Sequence, residues 1–225
     1  MKLCLKIFTI TLLSLFAVPA AGDDTVSAAP HAQTLGWDLG VQAFSFYTET
    51  FAEAVDRVAS LNLKYIEVMP FGRLSPEHKN IATNHNMPAE YRKLMREKLQ
   101  SVGVVLSSYG VVPLPNDEEE CRKVFEFAKE MGCKTIVSEP PPEALDLIER
   151  LCDEYEINVA IHNHPTPSAY WNPQTVKDAV QGRSNRLGAC ADTSHWMRSG
   201  LDVCRCRSIL NSRAMPFSTF SMMRM

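Results

Sequence analysis

From Leu39 onward the chain alternates two hydrophobic patterns, one with the period of a strand and one with the period of a helix. Short β-branched or apolar runs at 39–45 (LGVQAFS), 64–69 (KYIEVM), 104–109 (VVLSSY), 134–138 (KTIVS), 157–162 (INVAIH) and 187–191 (LGACA) predict six strands. Between them, apolar residues fall at helical spacing. Phe51, Val55 and Val58 form one such set, and Tyr91, Leu94, Met95, Leu99 and Val102 a second. Cys121, Val124, Phe125 and Ala128 form a third, and Leu145, Ile148 and Cys152 a fourth. Start signals mark several helices: a capping box Thr50-x-x-Glu53, the pair Asn116-x-x-Glu119, and Asn172 followed by Pro173 at the first helical position.

Strands that alternate with helices imply a parallel sheet with crossover helices, either doubly wound or closed as a (β/α)8 barrel. The chain has no G-x-G-x-x-G or P-loop after its first strand, and polar residues follow nearly every strand. Both features favour the barrel, in which all strand ends open on one mouth. The expected fold class is therefore α/β, a TIM barrel left incomplete at about six β/α units, because the alternation stops after Asp202. There Cys204-Arg205-Cys206-Arg207 leads into a stretch with four methionines between Met215 and Met225, and neither a strand nor a helix face is expected. The reading for 203–225 is a non-domain tail, from a frameshifted or truncated frame or from a short natural terminus.

Lys2 and Lys6 precede an apolar run, Ile7 to Val18, which ends in Val18-Pro19-Ala20-Ala21-Gly22. That order predicts a cleavable export signal at 1–21, since the run is shorter than the roughly 20 residues that span a bilayer. The expected location is periplasmic or secreted, with a flexible lead at 22–36 before a barrel domain at 37–202. A composition of 45% hydrophobic and 22% charged residues with a net charge of -3 is that of a globular domain, with no basic surface to follow nucleic acid. Of seven cysteines, Cys4 lies in the signal; Cys121, Cys133, Cys152 and Cys190 lack metal-ligand spacing and are expected as buried thiols.

Candidate chemistry gathers at the ends of strands four to six. Glu139 follows strand four, and Pro140, Pro141 and Pro142 stiffen its backbone, which suits a metal ligand or else an exposed loop glutamate. In Ala160-Ile161-His162-Asn163-His164-Pro165, alternation sends His162 and His164 to one side and Asn163 to the other. Such a pair can bind metal, hydrogen-bond a polyol, or sit as satisfied core histidines. Trp171 offers aromatic surface nearby. Asp192, three residues before His195, is either a ligand for a divalent ion or a helix N-cap.

The segments GVQAFSF, YIEVMP, VAIHNHP and GACADTSHWMRSGLD together resemble the xylose-isomerase-like TIM barrels, the group of sugar phosphate isomerases and epimerases that includes inosose dehydratase and hydroxypyruvate isomerase. The resemblance covers roughly Leu39 to Leu201, and it implies a metal-dependent isomerase or epimerase that acts on a sugar or polyol through an enediolate. It implies a divalent cofactor (Mn, Zn, Mg or Co), with Glu139 and Asp192 matching two of four ligands and Glu139 serving also as one acid/base. His195 would contact a substrate oxygen, with His162, His164, Glu67, Tyr109 and Trp171 lining the mouth under a loop from Phe71 to Pro88 that carries His78 and His85. The other two ligands, from strands seven and eight, have no counterpart, so the resemblance predicts half a metal centre and a chain inactive as it stands. Two other classes stay open: a metal-dependent nuclease of the endonuclease IV type, and a non-catalytic exported sugar-binding protein. The expected partner is a small sugar or polyol, with no nucleic acid and no stable membrane span.

Overall fold

A computed structural model describes residues 30–34 and 37–210. The expected export signal at 1–21, most of the expected lead at 22–36 and positions 211–225 lie outside the described residues. Among the described residues no helix is long and apolar enough to cross a membrane.

Six parallel strands run in sequence order: β1 (Gly40–Gln42), β2 (Tyr65–Val68), β3 (Val105–Tyr109), β4 (Thr135–Ser138), β5 (Asn158–His162) and β6 (Leu187–Cys190). Each falls within its expected run. After a short helix α1 (Pro30–Thr34), five crossover helices join the strands: α2 (Phe51–Ser60), α3 (Ala89–Val102), α4 (Glu118–Met131), α5 (Leu145–Tyr155) and α6 (Pro173–Val180). Two more, α7 (Thr193–Arg198) and α8 (Val203–Leu210), follow β6. Sequential parallel order is that of a barrel wall rather than a doubly wound sheet, and the six strands form an open, incomplete barrel.

Thr50 and Glu53 form the capping box of α2, and Asn172 caps α6 with Pro173 just inside it. At α4 the cap is Asp117 rather than Asn116: its carboxylate accepts from the backbone N–H of Glu119 and Glu120 at 3.0 and 3.2 Å. A cap oxygen must reach the second and third N–H of the first turn, and Asp117 stands at that distance along the chain. The expectation that no helix face follows Asp202 is also corrected. Helix α8 buries Cys206 and Leu210 and packs on α6, a face of only two residues that is too short to read as a period.

Lateral neighbours in a sheet share a face, so the register sorts the strand residues into two sets. Ile136, Val159 and Leu187 align across β4, β5 and β6 and turn outward. With Ile66, Leu106 and Ile161 they join the helices in the main core. Val137, Ala160 and Gly188 align on the inner face, where Val137, Ala160 and Cys190 form a separate small cluster. The cysteines Cys121, Cys133, Cys152 and Cys190 are buried thiols.

Close strand approach explains two glycines. A Cβ on Gly110 would lie 2.4 Å from the Val137 carbonyl oxygen, and one on Gly40 2.6 Å from that of Tyr65. Any side chain there would push neighbouring strands apart.

Candidate metal and sugar site

Inner-face parity carries through the carboxyl ends of three adjacent strands. His162 closes β5 in register with Cys190, Glu139 is the first residue beyond β4, and Asp192 is the second beyond β6. The same alternation puts His164 on the His162 side, and helix α7 brings His195 over the group. The ring centroids of His162 and His164 are 4.4 Å apart, those of His164 and His195 4.9 Å, and those of His162 and His195 5.4 Å. One nitrogen from each ring lies within 4.8 Å of the other two.

Each carboxylate divides its oxygens between structure and site. Glu139 Oε1 accepts from the His164 backbone N–H at 2.8 Å and from Ser168 Oγ at 3.1 Å, and it lies 2.9 Å from His164 Nδ1. A carboxylate only accepts, so His164 Nδ1 carries its ring hydrogen. Among the described residues, nothing donates to Oε2. Tyr170 ties the same loop to this strand end, its hydroxyl donating to the Pro140 carbonyl at 2.7 Å. Asp192 Oδ1 accepts from the backbone N–H groups of Ser194 and His195 at 2.9 and 3.0 Å and from Ser194 Oγ at 2.6 Å, capping α7. Its Oδ2 faces His195 Nε2 at 3.5 Å and His162 Nε2 at 3.7 Å, beyond hydrogen-bond reach. The cap reading and the site reading of Asp192 thus each take one oxygen.

Asn163 turns away from the two histidines, as alternation predicts, and grips the next strand. Its Oδ1 accepts from the Asp192 N–H at 2.8 Å while its Nδ2 donates to the Asp192 carbonyl at 2.9 Å. This buried amide fixes the backbone that aims Asp192.

The charges are coupled. Burial pushes the Glu139 carboxyl up, but the imidazoles of His162 and His164 outweigh it and hold it well below the usual carboxylate range. Asp192 behaves alike, with burial opposed by His162, Ser194 and the His195 N–H. Burial pulls His162 down, yet Asp192 and Glu139 on either side push it up to about 9. His195 is lowered to about 4 by burial, helped by the charges of His162 and Arg198 against the pull of Asp192. Arg198 Nη2 contacts His195 Nδ1.

Of the other expected site residues, Tyr109, His85 and His78 lie apart from this cluster, while Glu67 is within electrostatic reach of His162 and Asp192. Tyr109 does not face the mouth. Its register partners Val68 and Ile136 are on the outward face, and the ring is fully buried against Phe127 of α4 with centroids 4.8 Å apart. Its hydroxyl meets His85, 3.0 Å from Nδ1, so His85 belongs to the helix side, and His78 packs edge-on against Tyr91 of α3. The β2–β3 register slips between Ile66 and Glu67, which moves Tyr109 off the parity a regular strand would give it. Glu67 is on the inner face but buried, accepting from Gln42 Nε2 at 2.6 Å and Ser108 Oγ at 2.7 Å. Burial raises its carboxyl against these two donors. Trp171 is half-buried in the loop that delivers Ser168 to Glu139.

Sequence reasoning missed Asn163, Ser168 and Arg198 as parts of the site. For Asn163 a signal existed, its place between two inward histidines, but not the partner strand it would meet.

A family model described as xylose isomerase-like TIM barrel matches residues 55–216. An uncharacterized protein from Parabacteroides distasonis ATCC 8503 is 32% identical, with a TM-score of 0.68 over 79% of this chain and 72% of that one. A sugar phosphate isomerase/epimerase from the same organism is 13% identical, with a TM-score of 0.57 over 86% of this chain and 78% of that one. The D-psicose 3-epimerase of Clostridium cellulolyticum H10, solved with D-tagatose, is 11% identical, with a TM-score of 0.58 over 78% of this chain and 70% of that one. At 13% and 11% identity these last two likenesses are of fold alone. No curated protein matches the chain.

Proposed function

The chain belongs to the xylose isomerase-like TIM barrel family, and on that premise we propose that it is a metal-dependent isomerase or epimerase of a small sugar or polyol, with its site at the ends of β4, β5 and β6. The observation that carries this reading is the convergence of Glu139, His162, His164, Asp192 and His195 at one strand-end cluster.

The donor set fits a divalent cation. The hydrogen bonds to the two carboxylates among the described residues all go to Glu139 Oε1 and Asp192 Oδ1, which leaves Oε2 and Oδ2 to the site, and the buried His162 ring has no hydrogen-bond partner at Nδ1. Carboxylate oxygen with imidazole nitrogen suits Mn, Zn, Mg or Co. When bound, such an ion supplies Lewis acidity, which eases removal of the proton next to a sugar carbonyl.

The chain's own residues do the rest. Glu139, held ionised at its strand end, is the group that accepts the substrate proton and returns it. His195 donates a hydrogen bond to a substrate oxygen from Nε2, since the Arg198 guanidinium only donates and therefore requires a lone pair on Nδ1. His164, with its side chain 43% exposed, meets substrate at the solvent side, and Trp171 offers an apolar face to the sugar. Residues 1–21 serve as an export signal, and a mature terminus near residue 22 by mass spectrometry is the expected finding.

The reading is tested by incubating the purified protein with Mn²⁺ and a panel of ketoses in D2O and following deuterium uptake beside the carbonyl by NMR. Uptake that Glu139→Gln abolishes is expected, contrary to the inactivity that two missing ligands imply, because the histidines supply further donors beside Glu139 and Asp192. Sugar binding without uptake would make the chain a binding protein, and nicking of a DNA substrate would favour the nuclease.

A further inference from the structure

We propose that His162 is itself a ligand of the metal, through Nε2 and beside Asp192 Oδ2, so that β5 contributes a nitrogen donor to the centre. The inference rests on the metal reading of this site and goes beyond it in naming which imidazole binds.

His162 is 5% exposed, and its ring projects from the inner face between the strand ends that carry Glu139 and Asp192. A buried imidazole normally finds a partner for each nitrogen. His162 finds none: Nδ1 is sealed without a hydrogen bond, its nearest carboxylate oxygen being Glu139 Oε1 at 3.9 Å, and Nε2 stands 3.7 Å from Asp192 Oδ2. That second gap is too long for a hydrogen bond. It is close to the roughly 3–3.5 Å between two donors on one ion, given bonds of about 2.1 Å at angles of about 90–110°. His195 Nε2 stands at a like distance from the same oxygen, 3.5 Å, so the choice between the two rings rests on their other nitrogens.

The neighbouring imidazoles are committed elsewhere. His195 has its Nδ1 occupied by Arg198, whose guanidinium has no acceptor, so its ring hydrogen sits on Nε2, the atom that faces Asp192. To bind an ion through Nε2, His195 would have to give up the Arg198 contact and move that hydrogen. His164 has its Nδ1 on Glu139 and its side chain 43% exposed, and neither of its nitrogens comes within 4.0 Å of the Asp192 carboxylate. His162 alone has one nitrogen toward Asp192 and the other toward Glu139. A carboxylate on the far nitrogen fixes the tautomer and raises the basicity of the ligating one. Glu139 Oε1 is the carboxylate oxygen nearest His162 Nδ1, but at 3.9 Å it makes no hydrogen bond to it in this structure.

The test uses the full chain, stripped with EDTA and reloaded with Mn²⁺, read by calorimetric titration and by pulsed EPR for ¹⁴N coupling to the metal. Wild type should bind Mn²⁺ and show the coupling of a directly bound imidazole. His162→Asn should lose the coupling and bind tenfold or more weakly. His162→Gln, which keeps the bulk and offers an oxygen, should recover part of the affinity without the coupling, a pattern that unfolding would not give. His164→Asn and His195→Asn should keep the coupling. A ¹⁴N signal that survives His162→Asn, or that disappears with His164→Asn or His195→Asn instead, overturns the assignment. Mn²⁺ binding with no ¹⁴N coupling in wild type overturns it too but leaves a carboxylate metal site standing. Failure of the wild type to bind Mn²⁺ removes the metal reading and the assignment together.

Discussion

Truncation of Asn163 to alanine should destabilise the metal-free protein by about 2–4 kcal/mol. The side chain is 1% exposed and makes two hydrogen bonds of 2.8 and 2.9 Å, both to the backbone of Asp192. A neutral buried hydrogen bond is worth about 1 kcal/mol net, which sets the floor near 2. Alanine also leaves an N–H and a carbonyl of Asp192 without partners at a position only partly open to water. Each such group costs about 1–3 kcal/mol if it stays dry, and partial hydration brings the sum to the upper part of the range. Asn163→Asp keeps the acceptor and loses the donor, while setting a carboxylate oxygen against the Asp192 carbonyl, so it should cost at least as much at neutral pH. Urea unfolding of EDTA-treated protein measures both variants. Trp196 is fully buried on α7, the helix that Asp192 caps, and gives a local fluorescence signal. A loss below about 0.5 kcal/mol in Asn163→Ala, within the range of ordinary surface changes, would refute the clamp.

Three further substitutions separate structure from site. Asp192→Asn keeps an Oδ1 that can cap α7, so stability should fall little while Mn²⁺ affinity drops tenfold or more; Asp192→Ala should lose the same affinity and a further ~1 kcal/mol for the missing cap. Equal stability of the two variants in thermal unfolding would show that the cap contributes nothing. Tyr109→Phe removes the hydroxyl that meets His85 and should cost about 1 kcal/mol with Mn²⁺ affinity unchanged; weaker Mn²⁺ binding would return Tyr109 to the mouth. Gly110→Ala drives a methyl group to 2.5 Å from the Val137 Cβ and should cost 1–3 kcal/mol or more, seen as a lowered Tm or lost soluble yield. A Tm equal to wild type would mean that β3 and β4 yield more easily than their register suggests.

How far the sequence discloses this protein depends on the range of the interaction concerned. The six strands and the crossover helices were legible because hydrophobic period is a local property, and so were the caps at Thr50 and Asn172. Glu139, His162, His164, Asp192 and His195 were legible as a group because parallel strands deliver all their carboxyl ends to one place. Tyr109 was misplaced because its direction depends on a register slip between β2 and β3, which involves a partner forty residues away in the chain. Asn163 carried the right direction without a meaning, since its partner is the backbone of Asp192, which has no side-chain signature to read. The same limit governs the roles within the site. The letters H-N-H give three polar residues at alternating faces. Only the contacts assign them: His162 lies between two carboxylates, Asn163 holds the next strand, and His164 is tied to Glu139. Identity of residue type therefore says little about identity of role here, and the two histidines should differ in the Mn²⁺ experiment despite being two positions apart at one strand end. If they proved interchangeable, tautomer and burial would not be what selects the ligand, and proximity to the carboxylates alone would suffice.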